Sequence, residues 1–356
     1  MQYSSMLLSI TFIASLLVFP AKADKENFKI FLCFGQSNIS GGAGIAPLED
    51  LKQTTDRVMA FAFNNCNQGG SASWQKDTWV PAREPLHCGD QGLGDQTMGP
   101  CYVFGKAMAD SLPDDTIGII PCGQSGVNIE YFMKDGGGCK ADYCVPYPGL
   151  QNIYEWMKDR CALAMERGVL AGIVLHQGES NRGQTSWLKC VNKIYNDLKS
   201  DLNLEKDIPL VAGELLYAGE GSQQHNPIIA QIPDTVPFGY VASAEGLQGG
   251  GTYATLHFNQ SGYVKMGERM AVQMMKGLQE ANLITSTHHQ KRVLSSVKIN
   301  LSSRNIHVYS LDGRMILSGS PKNSNMLKTA LKPGNIYIVK DQNGNNATKL
   351  MMIQTQ

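Results

Sequence analysis

The apolar run Phe28 to Phe34 stops at a glycine, and the polar tetrapeptide Gly35-Gln36-Ser37-Asn38 begins there. That pattern reads as a buried strand ending in a tight turn, which lifts the Ser37 side chain to the rim of a sheet. In open α/β sheets, ligands meet the protein at such strand ends. A four-residue polar match would serve equally well as an ordinary loop, so its meaning depends on the rest of the chain.

From residue 28 to residue 283 strand and helix alternate. Val58 to Phe63, Ile117 to Ile120, Leu170 to Leu175, Pro209 to Ala212 and Phe238 to Ala242 read as strands. Tyr102 to Ser111, Ile153 to Arg167 and Tyr263 to Leu283 read as helices. Another helix is marked by Trp187, Leu188, Val191, Ile194, Tyr195, Leu198 and Leu202 on one face, with Thr185 or Ser186 as its N-cap. This alternation predicts a mostly parallel sheet with helices on both faces. No G-x-G-x-x-G follows a strand and no P-loop is present, so nucleotide-binding versions of the layout lack their signature.

Between Asn64 and Pro100 the chain is rich in Gly, Asn, Gln, Asp and Trp without a sustained period, which predicts a long irregular insertion near the strand ends. Trp74 and Trp79 lie within it, either as stacking platforms for a sugar ring or as packing anchors. Past residue 283 the texture changes: 285–292 reads as a polar linker, and 293–356 as a small all-β module. Its strands are Val297 to Leu301, Ile306 to Tyr309, Met315 to Leu317, Ile336 to Val339 and Lys349 to Ile353. Turn signals such as Pro333-Gly334-Asn335 and Asn343-Gly344-Asn345 separate them.

Met6 to Phe19 is nearly uninterrupted in apolar character and leads to Pro20 and Ala21-Lys22-Ala23, the pattern of a secretory signal peptide over residues 1–23, cut after Ala23. The run falls short of the ~20 residues of a membrane span, so no stable membrane insertion is expected. Lys+Arg and Asp+Glu both total 31, which withholds the basic footprint that nucleic acid or an anionic membrane requires. All nine cysteines lie between Cys33 and Cys190, which fits an oxidising, exported setting. None shows C-x-x-C spacing, so disulfides are favoured over metal, and neither metal nor other cofactor is expected. Cys33, inside the first strand, reads as the unpaired buried thiol. Cys66, Cys88, Cys101, Cys122, Cys139, Cys144, Cys161 and Cys190 are then left for up to four bridges of open connectivity, with Cys139–Cys144 the nearest local pair.

Polar residues that a hydrolase needs recur at three places: Ser37, Gln177-Gly178-Glu179 after an apolar strand, and His257 just before the last helix. A serine hydroxyl is a weak nucleophile until a neutral imidazole takes its proton, and a carboxylate can fix that imidazole's tautomer. Ser37, His257 and Glu179 fit these roles, with His176 as the rival base.

Gly35-Gln36-Ser37-Asn38, the strand Ile117 to Cys122 leading to Ser125-Gly126-Val127-Asn128-Ile129, the block His176-Gln177-Gly178-Glu179-Ser180 and His257-Phe258 together resemble the SGNH hydrolase superfamily. Within it they resemble carbohydrate esterase family six and sialate O-acetylesterase-like domains, over most of residues 28–283. The resemblance implies a flavodoxin-like three-layer α/β/α sandwich over 24–284 and a metal-free serine esterase. It makes Ser37 the nucleophile and His257 the base. It also gives the oxyanion donors as the N–H groups of Ser37 and Gly126 with the Gln177 amide. Many members carry an aspartate three residues before the catalytic histidine; here that residue is Ala254, leaving Glu179 as the acid or a dyad without one. The implied substrate is an acetylated polysaccharide, xylan foremost, or an acetylated sialic acid, whose charge would favour Arg or Lys around the site. A non-catalytic sugar-binding protein on the same fold is the alternative of another class. The C-terminal segment, with Val308-Tyr309-Ser310-Leu311-Asp312-Gly313-Arg314, resembles the sorting domains of type IX secretion, which implies the secretion machinery as a partner.

Overall fold

The computed structural model describes residues 25–284, except 43, 68–72, 89–96, 135–151 and 220, together with four later strands at 306–309, 315–319, 336–341 and 349–352. In chain order the elements are β1 (Phe28–Gly35), α1 (Ser37–Ser40), β2 (Val58–Phe61), β3 (Cys66–Asn67), β4 (Ser73–Trp74), β5 (Trp79–Pro81), α2 (Cys101–Ser111) and β6 (Thr116–Gly123). They continue as α3 (Ile153–Ala164), β7 (Val169–His176), α4 (Ser186–Asp201), β8 (Leu210–Gly213), α5 (Ser222–Ile229), α6 (Ile232–Thr235), β9 (Gly239–Ala242) and α7 (Gln260–Glu280).

β1 is apolar because both of its faces are covered. Phe31 and Cys33 pack under α2 and α7, while Phe28, Ile30, Leu32 and Phe34 pack under α3 and α4. Each such side chain contributes roughly 1.5–3 kcal/mol of burial, so the strand can sit only in the middle of a layered domain. Accordingly β1 is central in a seven-stranded sheet ordered β5-β2-β6-β1-β7-β8-β9. All neighbours run parallel except the edge strand β5, which pairs antiparallel with β2. The core strands β6-β1-β7-β8-β9 follow a 2-1-3-4-5 order, in which the chain reverses its direction of travel between β1 and β7. Ligand sites form at the carboxyl ends of the strands flanking that reversal.

The segment expected to be an irregular insertion is partly ordered. β3 and β4 form a hairpin, and a Cys66–Cys88 disulfide ties it to the following chain. Arg160 on α3 donates to the carbonyls of Phe61 (2.8 Å) and Ala62 (3.2 Å) and pairs with Asp77, which anchors the insertion to the domain. Neither tryptophan is a sugar platform. Trp74 is 4% exposed and packs beside Cys88, while Trp79 lies 4.7 Å from the Phe28 ring and 5.1 Å from that of Phe61, centroid to centroid.

Cys33 is buried and free, as its place in β1 predicts. The expectation of up to four bridges needs correction, because Cys101, Cys122, Cys161 and Cys190 are free and buried too. Cys101, the first residue of α2, lies in the core on the α2–α7 face of the sheet, and the other three in the core on the opposite face, where they pack as small hydrophobes. Cys139 and Cys144 lie outside the described residues. The last helix begins at Gln260 rather than Tyr263, since the Asn259 side chain accepts from Gly262 N at 2.8 Å and caps it.

Beyond the domain, β10 (Ile306–Tyr309), β11 (Met315–Gly319), β12 (Ile336–Asp341) and β13 (Lys349–Met352) pair antiparallel in the order β11-β10-β12-β13. The leader 1–23, the linker 285–292 and the strand Val297 to Leu301 fall outside the described residues. Among the described residues no helix is long and apolar enough to cross a membrane.

Candidate active site

The turn after β1 is built on a close approach that only glycine allows. Gly35 has φ +141°, and a Cβ there would fall 2.0 Å from the His176 carbonyl oxygen. The two strand ends are thereby pinned side by side, with Gly35 paired to His176 and Gln36 N donating to His176 O at 3.0 Å. Ser37 then opens α1, and its N–H, as a first helical residue, has no intrahelical acceptor.

The chain brings His257 to this point from far along the sequence. A turn in which Leu256 N and His257 N both donate to Tyr253 O at 2.8 Å presents the imidazole, and its Nε2 lies 2.9 Å from Ser37 Oγ. With the proton on Nδ1, the serine hydroxyl donates to Nε2, the geometry of a nucleophile and its base. His257 is 6% exposed. Burial lowers its pKa below the usual imidazole value, the Glu179 charge pulls it back up, and His176 pushes it down again. The ring is therefore neutral and able to accept a proton at pH 7.

Glu179 stands at the end of β7, one turn from His176. Its Oε1 accepts from Asn38 Nδ2 at 2.6 Å and lies 3.6 Å from His176 Nδ1. Oε2 is buried and makes no hydrogen bond among the described residues, and the same holds for His257 Nδ1. The carboxylate thus acts on His257 through its field, with no direct hydrogen bond. The rival base His176 is turned away from the serine: its Nε2 lies 3.1 Å from Glu214 O, and it is wholly buried.

The expected oxyanion donors are placed unequally. Gly126, at φ +72°, lies on the turn after β6, a strand paired with β1 up to Gly35–Gly123. Among the described residues the N–H groups of Ser37 and Gly126 donate no hydrogen bond, and Ser180 Oγ holds the Gly126 carbonyl at 3.2 Å. The Gln177 amide differs from expectation. It is buried, its Nε2 donates to Asn181 Oδ1 (2.7 Å), Gln36 Oε1 (3.1 Å) and Val127 O (3.2 Å), and its Oε1 accepts from Trp187 Nε1 at 2.5 Å. With both amide groups engaged inward, Gln177 braces the three strand-end loops against one another and has no hydrogen left for a substrate.

Sequence reasoning passed over two residues of this network. Gln36 Oε1 also accepts from Gly178 N (3.4 Å) and Ser180 N (3.2 Å), and Asn38 joins Glu179 to the His257 loop. Both flank Ser37 in the motif itself, where the sequence does not tell them from loop residues; their burial next to a turn is what marks them in the structure. Among the described residues no group of three or more His, Cys, Asp or Glu side chains is arranged to hold a metal ion.

Residues 27–276 match the model of a family described as carbohydrate esterase, sialic acid-specific acetylesterase. Two solved structures share the fold. One is a protein of Arabidopsis thaliana, 19% identical, with a TM-score of 0.55 over 70% of this chain and 98% of that one. The other is NanS, 15% identical, with a TM-score of 0.56 over 72% of this chain and 99% of that one.

Proposed function

Because the chain belongs to the sialic acid-specific acetylesterase family of carbohydrate esterases, we propose that it removes acetyl groups from an acetylated sugar through an acetyl-enzyme on Ser37. The observation that carries this reading is the 2.9 Å contact between Ser37 Oγ and His257 Nε2. Ser37 Oγ attacks the acetyl carbonyl carbon while His257 Nε2 takes its proton. The negative charge that develops on the carbonyl oxygen is met by the N–H groups of Ser37 and Gly126. The tetrahedral intermediate collapses, the carbon–oxygen bond to the sugar breaks, and His257 returns the proton to the departing hydroxyl. Water then attacks the acetyl-enzyme by the same exchange, giving acetate and free Ser37. The Glu179 charge favours the imidazolium that forms in both halves.

Acetylated xylan is the substrate proposed. A neutral sugar needs a stacking surface more than a counter-ion, and Tyr253 supports that reading: the residue is 54% exposed and its ring stands edge-on to the His257 ring at 5.5 Å. A second reading, an acetylated sialic acid, is favoured by Arg182, an exposed cation on the same rim whose Nε donates to Glu179 O at 3.2 Å. Acetate release from acetylated xylan beside O-acetylated sialic acid separates the two. Ser37→Ala must abolish release from either; an unchanged rate would remove Ser37 as the nucleophile, and no release by the wild type would leave only a sugar-binding protein.

We further propose that the protein is exported through the leader 1–23 and that 293–356 addresses it to type IX secretion. The Cys66–Cys88 bridge supports an oxidising destination. Mass spectrometry of the culture medium, finding a mature chain that begins at Asp24, is the check.

A further inference from the structure

Asn38 follows the nucleophile directly and is 0% exposed. Its side chain uses both ends of the amide. Nδ2 donates to Glu179 Oε1 at 2.6 Å and to Leu256 O at 2.8 Å, while Oδ1 accepts from Tyr263 OH at 2.7 Å and from Phe258 N at 3.4 Å. Those partners belong to the turn after β7, the loop that carries His257, and α7. Leu256 and Phe258 are the two neighbours of His257, so one amide holds the backbone on both sides of the base. The same amide aims the carboxylate whose charge acts on that base.

The chemistry of the position is restrictive. Two donors must point at a carboxylate and a carbonyl while an acceptor faces a hydroxyl and an N–H, a set that among side chains of this length only asparagine offers. Aspartate has the shape but no N–H to donate. Serine has one hydroxyl and cannot reach both Glu179 and Leu256. The bond to Glu179, at 2.6 Å, is the shortest of the four and ties the amide to the carboxylate whose charge acts on the base.

We propose that Asn38 is a positioning residue for the reaction: it sets the Glu179 carboxylate and the His257 imidazole in register with the Ser37 hydroxyl from the adjacent residue. This rests on the acetylesterase reading of the Ser37–His257 pair. The turn after β1 then delivers both the nucleophile and the alignment of its base.

The test is steady-state hydrolysis of p-nitrophenyl acetate by the full chain carrying Asn38→Asp, with thermal melting to confirm folding. Misplacing the base should lower kcat about 100-fold near neutral pH, with KM moved by no more than about twofold. The pH profile supplies the readout that a structural role would not move. Glu179 is faced by His176 on β7, His225 on α5, His257 in its loop and Tyr263 on α7. A carboxylate at position 38 adds a like charge, which is relieved when the introduced group takes up a proton and regains one donor. The added charge also raises the His257 pKa, as Glu179 does, so the deficit against wild type should widen across the acid limb and narrow again where the introduced carboxyl takes up its proton. In a Glu179→Gln background, where the charged acceptor is gone, the same Asn38→Asp change should cost less than about tenfold. Wild-type kcat in the variant, a deficit equal at every pH, or losses that multiply in the double variant would each overturn the proposal. If Asn38→Asp does not fold, Asn38→Ser takes its place for the kcat and double-variant readings. Ser37→Ala keeps the outcomes apart: activity there ends the reading of the Ser37–His257 pair as the reacting groups, whereas a dead Ser37→Ala beside a fully active Asn38→Asp ends this inference alone.

Discussion

Among the described residues, two places in this domain bury a carboxyl group together with a histidine, and they use the combination in opposite ways. In the insertion, Glu84 accepts from Leu86 N at 2.9 Å and Gly99 N at 3.4 Å, and His87 Nε2 accepts from Gly123 N at 2.9 Å. Burial pushes the Glu84 pKa up to about 8 against those two N–H groups, and burial with the Arg160 charge pushes that of His87 down to about 3. Both are neutral near pH 7 and bonded to backbone, so they serve as fasteners. At the strand ends, Glu179 has a side-chain donor in Asn38, and His257 has a hydroxyl beside Nε2 in Ser37, which is only half-buried. Burial of a titratable pair therefore does not by itself mark a site. What marks it is a nucleophile in reach and an opening through which a substrate can arrive.

The sharpest way to break this comparison is to remove the reacting groups on each side. Ser37→Ala or His257→Ala should lower kcat/KM for an acetyl ester by about 10⁴-fold or more, while Glu84→Gln and His87→Gln leave the turnover of the folded enzyme near wild type. A comparable loss in Glu84→Gln would dissolve the distinction.

Glu179→Gln comes next, with kcat falling on the order of 10²-fold because the imidazolium loses its counter-charge. The sign of the pH effect is fixed. The base works when neutral, so the acid limb of kcat/KM reports its pKa, which burial already holds below 6.5. Glu179 is the group that raises it, so removing that charge should move the limb to still lower pH. A limb that stays in place, or moves up, would mean the carboxylate does not act on His257.

Much of this arrangement was legible in the residues, and where it was not the reason is physical. β1 and β7 announce themselves because strands covered on both faces must be apolar throughout. The alternation of strands and helices then leaves few topologies, and the ends of two adjacent strands carry Ser37 and Glu179. The insertion was opaque because β3 and β4 are two residues long and owe their order to Cys66–Cys88 and Arg160, contacts with no local pattern. The free thiols misled for a related reason. Cys122 and Cys161 occupy core positions that a small hydrophobe fills, and spacing along the chain does not say which cysteines face one another. Gln177 was misread because a polar residue after a strand looks available, whereas Trp187, Gln36, Val127 and Asn181 consume it.

Glu84→Gln also has a thermodynamic signature, read in stability and not in turnover. A folded-state pKa raised from 4.5 to about 8 means the group favours the folded protein fully below the unfolded value, and that contribution is lost as pH climbs through the window between them. Glutamine keeps an acceptor for Leu86 N, gives up the one that Gly99 N uses on the other carboxyl oxygen, and does not titrate, so its stability offset from wild type carries no pH dependence of its own. The variant should therefore gain on wild type as pH rises from 4.5 to 8, by on the order of 4 kcal/mol, read as a shift in urea midpoint at each end of the range. Equal midpoints at both ends would show that Glu84 is not held neutral.

The smallest expected effect concerns the aromatic residues of the two regions. Trp74 and Trp79 are committed to the fold, the first at 4% exposure against the disulfide and the second between Phe28 and Phe61. Tyr253 is half exposed while its ring stands against that of His257. Trp79→Ala should accordingly lower the melting temperature and leave KM for the molecules that remain folded. Tyr253→Ala should leave the melting temperature alone and raise KM for an acetylated oligosaccharide about tenfold, the worth of one stacking contact. With p-nitrophenyl acetate, which has no sugar to stack, KM should stay put. If Tyr253→Ala weakens both substrates equally, the ring positions His257 instead of the sugar, and the aromatic support for a neutral polysaccharide is lost.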